Sequence, residues 1–180
     1  NIVNALCEDR NGRLWIGMDS GLSCLKDGEF TTYPPGEERH PHFISSIVED
    51  KKGTLWIGSR ENGITNLWKG KFTNYTTKDG LVGNEVRSIH EDKKGNLWIK
   101  FTENALNRLD IQTDKFYNYL PDTTKSGSIS NLRITSFFED RDSILWIATM
   151  HGLNIYNNKK DNFYSVLPKE TYGIDDWTLN

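Results

Sequence analysis

Four pairs of adjacent carboxylates punctuate the sequence: Glu8-Asp9, Glu49-Asp50, Glu91-Asp92 and Glu139-Asp140. Paired carboxylates can divide the work of acid and base, as they do in glycoside hydrolysis. Here the pair recurs four times, each time at the end of a predicted strand and before a turn. An Asp in that place hydrogen-bonds the turn backbone, so the pairs read as turn formers and not as catalytic acids. The other constellations are thinner. His40-Pro41-His42 offers two metal ligands, but no Cys, third His or acidic helix completes the set. Asp140-Arg141-Asp142 supplies too few oxygens for a calcium loop. Gly17-Met18-Asp19-Ser20-Gly21 is not a GxSxG nucleophile elbow, and no P-loop or dinucleotide fingerprint is present. Cys7 and Cys24 suit neither a zinc site nor a CxxC redox motif and read as half-buried small residues. Asn74-Tyr75-Thr76 is formally a glycosylation sequon, but it falls inside a predicted strand. No catalytic residue, metal or cofactor is therefore expected.

The elements that carry these residues repeat. Leu-Trp-Ile occurs at Leu14-Trp15-Ile16, Leu55-Trp56-Ile57, Leu97-Trp98-Ile99 and Leu145-Trp146-Ile147, so the tryptophans are 41, 42 and 48 residues apart. Three residues after each Asp stands Gly12, Gly53, Gly95 or, in the fourth copy, Ser143. Downstream follow Gly21-Leu22, Gly63-Ile64, Ala105-Leu106 and Gly152-Leu153. An aromatic pair closes three copies, Phe30/Tyr33, Phe72/Tyr75 and Phe116/Tyr119; the fourth has Phe163 with Val166.

Each copy reads as four short strands. In the third, Val86 to Glu91 is the first strand and Asp92-Lys93-Lys94-Gly95 a type I turn. Leu97-Trp98-Ile99, Ala105 to Leu109 and Phe116 to Leu120 supply the others. No helical periodicity separates them, which excludes a βαβ arrangement. Four antiparallel strands in about 40–45 residues make a β-propeller blade. The fold class is all-β, four four-stranded antiparallel blades at approximately 1–42, 43–84, 85–131 and 132–172, with 173–180 starting a further blade and the chain a fragment of a larger propeller. A blade buries both faces against neighbours, so Trp15, Trp56, Trp98 and Trp146 are expected to fill the wedge between blades.

Composition narrows the function. The chain is 36% hydrophobic and 12% aromatic, which a disordered chain would not be. Its net charge of -3 lacks the basic excess of a nucleic-acid binder. No apolar run approaches the ~20 residues of a membrane span, and the first residues do not form a signal peptide. Any tie to a membrane would come through parts of a parent protein missing from this chain.

The pattern Glu-Asp-x-x-Gly-x-Leu-Trp-Ile-Gly, then Gly-Leu and Phe-x-x-Tyr, resembles the two-component regulator propeller repeat. Glu8 to Gly17 and Glu49 to Gly58 match throughout; the third copy departs at Lys100 and the fourth at Ser143 and Ala148. The resemblance covers essentially the whole chain. It implies the periplasmic sensor region of a hybrid two-component histidine kinase, as in gut Bacteroidetes. The parent would carry two propellers, a β-sandwich, a membrane helix anchored in the inner membrane, a kinase and a receiver, and would sense oligosaccharides. Two rival expectations are a propeller enzyme of lyase or glycosidase type and a pure protein-interaction scaffold.

Binding residues concentrate on loops of a rigid scaffold. In a propeller, the loops between strands two and three and the connectors between blades share one face. The candidates for a ligand there are Arg60, Lys100, Glu103, Arg133 and His151. Bare end blades would leave apolar faces open. The chain is accordingly expected either to tighten into a four-bladed ring or, as the favoured outcome, to self-associate as a homodimer, blade one of each copy meeting blade four of the other to give an eight-bladed ring.

Overall fold

The turn after each acidic pair sets the first hairpin of every repeat. The Gly12, Gly53 and Gly95 amides donate to the carbonyls of Asp9, Asp50 and Asp92, each at 2.9 Å, and the Ser143 amide donates to Asp140 at 3.1 Å. These positions need a positive φ. Ser143 adopts +62° where the other copies use glycine. The structure is a computed structural model and describes residues 2–36, 40–102, 105–122 and 124–166.

Four antiparallel sheets result, each pairing its strands in simple sequence order. The first holds β1 (Val3–Glu8), β2 (Leu14–Met18), β3 (Gly21–Lys26) and β4 (Glu29–Tyr33). The second holds β5 (Ile44–Glu49), β6 (Leu55–Ser59), β7 (Ile64–Trp68) and β8 (Lys71–Tyr75). The third holds β9 (Val86–Glu91), β10 (Asn96–Phe101), β11 (Leu106–Asp110) and β12 (Lys115–Tyr119). The fourth holds β13 (Ile134–Glu139), β14 (Leu145–Thr149), β15 (Gly152–Asn157) and β16 (Asn162–Val166). Among the described residues the only helical element is a 3₁₀ turn at Thr77–Asp79. The expected further blade at 173–180 lies outside the described residues. No described helix is long and apolar enough to cross a membrane.

The chain divides at Leu120 into two compact units. The first contains three sheets, stacked face to face as blades. Successive residues of a strand point to opposite faces, and the two faces differ. Trp15, Leu22, Cys24 and Tyr33 of the first blade pack on Ile44, Ile47, Leu55, Leu67 and Phe72 of the second. Trp56, Ile64 and Tyr75 of the second pack on Val86, Ile89, Leu97, Leu109 and Phe116 of the third. The aromatic pair bridges these contacts. Tyr33 lies 6.0 Å from Trp15 in its own blade and 5.5 Å, edge-on, from Phe72 of the next. Tyr75 repeats this with Trp56 at 5.9 Å and Phe116 at 5.8 Å. Trp15 and Trp56 therefore fill the wedge between blades of the first unit; Trp98 is also buried, and Trp146 is part-buried.

Both members of the acidic pair have structural partners. The Asp9 carboxylate accepts from the amides of Asn11 and Arg13 and, at 2.8 Å, from Trp15 Nε1. Asp50 and Trp56, Asp92 and Trp98, and Asp140 and Trp146 repeat that bond at 2.8, 3.0 and 2.8 Å. Burial pushes the Asp9 carboxyl up, but the donors of Trp15, Arg13 and Asn11 outweigh it and hold the pKa below the ordinary value. Asp9 thus lends stability above the carboxylate range of the unfolded chain and loses it as pH falls through the lower folded value.

The Glu of the pair clasps the preceding blade. Glu49 accepts from the backbone and side chain of Arg10, each at 2.9 Å, and Glu91 accepts from the Lys51 amide at 2.9 Å. The cations answer in kind: Arg10 donates to the carbonyls of Asp50 and Lys51, and Lys51 Nζ to those of Asp92 and Lys93. Burial raises the pKa of Glu91, partly offset by Lys51. The contact thus uses the acceptor oxygen more than the charge. Glu91→Gln is expected to leave the unfolding free energy measured in urea within about 0.5 kcal/mol of the parent, whereas Glu91→Ala costs about 1 kcal/mol. Equal losses in the two variants would refute the clasp.

Candidate functional site

Every first strand opens with an extra residue. The register with the second strand shifts at Val3/Ala5, Ile44/Ser46 and Ile134/Ser136, and in the third sheet Phe101 pairs with Val86 while Lys100 pairs with Ser88. The bulged residues are Asn4, Ser45, Arg87 and Thr135. A bulge re-aims a side chain at a sheet edge. Asn4 Nδ2 donates to Asp19 Oδ1 at 2.7 Å, and the Ser45 hydroxyl donates to the Val86 carbonyl at 2.6 Å.

At this same edge the loop between the second and third strands meets the connector that enters the blade. The Arg60 amide donates to the Phe43 carbonyl at 2.9 Å, Thr102 to Glu85 at 2.9 Å, and Met150 to Arg133 at 3.0 Å. The Ser59 hydroxyl shapes the loop of the second blade. It accepts from the Glu61 and Asn62 amides at 3.1 Å and donates to the His42 carbonyl at 2.8 Å.

Arg60 is the sequence candidate with the richest setting. Its Nη2 donates to Asn4 Oδ1 at 3.3 Å, and its Nη1 lies 3.9 Å from Asp19 Oδ1. Half-exposed, it ties the first two blades together at the bulged edge. On its other side opens a cleft of about 490 Å³ lined by Arg60, Glu61, residues 82–85, Phe101, Ala105 and Leu120. Apolar walls beneath a charged rim can hold the faces of a ring while the rim bonds its hydroxyls. A second cleft of about 610 Å³ lies beside the connector into the second blade, with His40, His42, Asn62, Thr65, Thr73 and Asn74 among its walls.

His40 and His42 of that connector are part-buried. The His40 ring packs on Phe72 at 4.8 Å and Tyr33 at 5.6 Å, and its Nδ1 meets the Pro34 carbonyl at 2.9 Å. His42 instead faces Glu61, 3.8 Å from its carboxylate. The Asn74 amide is committed to the carbonyls of Asn62 and Ile64 and to the Thr65 hydroxyl. Asn107 and Asn154, which stand where the second blade has Thr65, accept from the Val82 and Ser130 amides and pin their connectors, each at 2.9 Å.

The remaining candidates do not gather around Arg60. Lys100 lies within β10, opposite Ser88 and Leu106, at the register position of Gly17 and Gly58. Burial lowers its pKa, and the nearby Arg87 charge lowers it further. Glu103 lies outside the described residues. Arg133 and His151 are exposed at the bulged edge of the fourth blade, where the Arg133 carbonyl accepts from the amide of Met150, the residue before His151. Sequence reasoning missed Asn4, Asp19, Glu61 and Glu85. A polar residue one position into every first strand was the available signal for Asn4.

Among the described residues no three His, Cys, Asp or Glu side chains are gathered to hold a metal. Cys7 and Cys24 are free and flank Trp15 from the two adjacent strands, which keeps them apart. Burial raises the pKa of both thiols, which opposes thiolate reactivity.

The sequence family described as two component regulator propeller matches residues 1–20, 40–61, 80–100 and 128–151. No curated protein matches the chain. Among solved structures, the extracellular domain described as that of hybrid two component system BT3049 from B. thetaiotaomicron is 21% identical, with a TM-score of 0.76 over 92% of this chain and 23% of that one. That of BT4673 from the same organism is 21% identical, with a TM-score of 0.72 over 96% and 25%. Virginiamycin B lyase from Staphylococcus aureus is 19% identical, with a TM-score of 0.67 over 93% and 56%. The chain spans about a quarter of the length of the two component domains. At such identities the likeness is one of fold.

Proposed function

The chain is an array of two-component regulator propeller repeats, and we propose that it serves as part of the sensor region of a hybrid two-component histidine kinase. In this reading it lies outside the cytoplasm, in the periplasm, binds an oligosaccharide and passes the signal to a kinase elsewhere in the parent protein. It performs no reaction itself. The observation that carries this is the contrast within the repeats. Asp–Trp bonds and strand registers recur from blade to blade, while the loops at the bulged edge differ and, beside Arg60, frame a cleft with apolar walls and a charged rim. The extracellular domains of two component systems that share the fold support the sensor role.

Calorimetry against a panel of oligosaccharides tests it. Saturable heat from one sugar class with no product formed is the expected result, and Arg60→Ala is expected to weaken that binding about tenfold, roughly 1.4 kcal/mol. Turnover of any sugar would favour the lyase-type reading, for which the likeness to virginiamycin B lyase is the support. Binding that ignores Arg60→Ala would move the site away from this cleft.

A further inference from the structure

We propose that a pocket between the first and second blades, at the edge opposite the bulged one, binds a small ring compound that carries a carboxylate. The pocket holds about 250 Å³, and its walls include Arg13, Trp15 and Tyr33 of the first blade with Leu55, Leu67 and the β7–β8 turn of the second. The wedge between the second and third blades, built on the same repeat, shows what closes such a space. There Asn66 stands opposite Trp56 and donates to the Tyr75 hydroxyl at 3.4 Å. Lys52 Nζ crosses to the Ile111 carbonyl at 2.7 Å, and the Ile111 side chain packs on the core of that wedge. The first wedge lacks all three closures. Cys24 takes the place of Asn66, Asn11 that of Lys52, and Lys69 that of Ile111. The Tyr33 hydroxyl is left without a hydrogen-bond partner among the described residues.

The chemistry around the opening selects the ligand. Trp15, Leu55 and Leu67 give it apolar walls with room for one ring, since a cavity of about 150 Å³ already admits benzene. The two carboxylates at the pocket are committed. Asp9 receives Trp15 Nε1, Arg13 Nε and two turn amides, and Glu49 receives Arg10. The cations are not. Arg13 gives its Nε to Asp9 at 2.6 Å and holds its guanidinium 5.2 Å from the Trp15 ring centroid, but its two terminal nitrogens bond nothing among the described residues. Its side chain is 39% exposed and so within reach of a ligand. Lys69 Nζ lies 5.4 Å from the centroid of the Trp68 ring and has no carboxylate partner among the described residues. Burial raises the Tyr33 pKa, with the Cys24 thiol adding to the rise and Arg13 opposing it, so the hydroxyl keeps its proton and can donate. A guanidinium fork beside a phenol O–H suits a carboxylate whose ring enters between the blades.

Calorimetry of the 180-residue chain with benzoate and its uncharged counterpart benzamide tests this. Benzoate is expected to bind saturably, and benzamide at least about tenfold more weakly. Arg13→Gln is expected to cost benzoate a similar factor. Cys24→Asn supplies the partner that Tyr33 lacks, and Lys69→Ile supplies the plug of the third blade; each is expected to abolish binding with an unchanged circular dichroism spectrum. Arg60→Ala leaves benzoate binding as it is, and Lys69→Ile leaves the heat of oligosaccharide binding as it is, so the two sites stand or fail separately. Absence of saturable benzoate binding overturns the proposal. So does binding that benzamide equals, or that survives Arg13→Gln, Cys24→Asn and Lys69→Ile alike.

Discussion

Asp92→Ala is expected to destabilise the first unit by about 3–5 kcal/mol. The carboxylate is buried and receives four donors: the amides of Lys94 and Asn96 at 2.9 and 2.8 Å, Asn96 Nδ2 at 2.8 Å and Trp98 Nε1 at 3.0 Å. Trp98 is wholly inaccessible, so its indole N–H finds no water when the acceptor goes. An orphaned buried donor costs about 1–3 kcal/mol, and here at least two are orphaned together. Asp92→Asn separates charge from geometry. Asparagine keeps one oxygen for the turn amides but turns an NH2 group toward the Trp98 and Asn96 donors. It is therefore expected to lose more than half of what alanine loses. Urea unfolding followed by circular dichroism measures both. In a Trp98→Phe background one donor is already gone, and the cost of Asp92→Ala should fall by about 1–2 kcal/mol. An unchanged cost would show that the two side chains are not coupled.

That bond illustrates what was legible in the sequence and what was not. The strands were, because turn residues and β-formers alternate on a scale of a few residues. Val86–Glu91 falls where the pattern put it, and the Asp92 turn closes on Gly95 as its residue types require. Asp9 and Trp15 each read correctly alone, one as a turn former and the other as a wedge. Their bond was missed because a hairpin brings residues six apart together only once its register is known. The Glu clasp was harder, since it spans about 40 residues and two blades. Its sequence signal existed all the same: Arg10, Lys51, Lys93 and Arg141 put a cation directly after every acidic pair.

The candidate site was less legible for a related reason. Strand interiors answer to a repeated environment, so one copy explains another. Loops at the bulged edge answer to neighbours that differ at each blade. Arg60 stood out as a cation in a variable loop, but Asn4 and Asp19, which hold it, belong to another blade, one inside a strand and the other in the turn between β2 and β3. Lys100 reads in the sequence as a candidate on the loop-bearing face. The structure places it inside a strand, where the question is packing before it is binding.

The glycine that Lys100 replaces carries the second large prediction. A Cβ on Gly58 would lie 2.7 Å from Val86 Cγ1, and one on Gly17 would lie 2.4 Å from Ile44 Cγ2. Neither glycine has a positive φ, so what excludes a side chain is the next blade and not the backbone. Val86 and Ile44 are fully buried, and their branched side chains have little rotamer freedom with which to yield. Gly58→Ala is expected to cost about 1–3 kcal/mol by overpacking, and Gly58→Val more, since its second methyl group must also find room between the blades. Val86→Ala removes the obstructing Cγ1 and by itself costs stability through the cavity it leaves. Combined with Gly58→Ala, it makes space for the new methyl group, which in turn fills part of that cavity. The double variant should therefore be more stable than the two single losses predict, by about 1 kcal/mol or more. Denaturant midpoints of the four proteins complete the cycle. Strict additivity would mean that something other than Val86 demands glycine at this position.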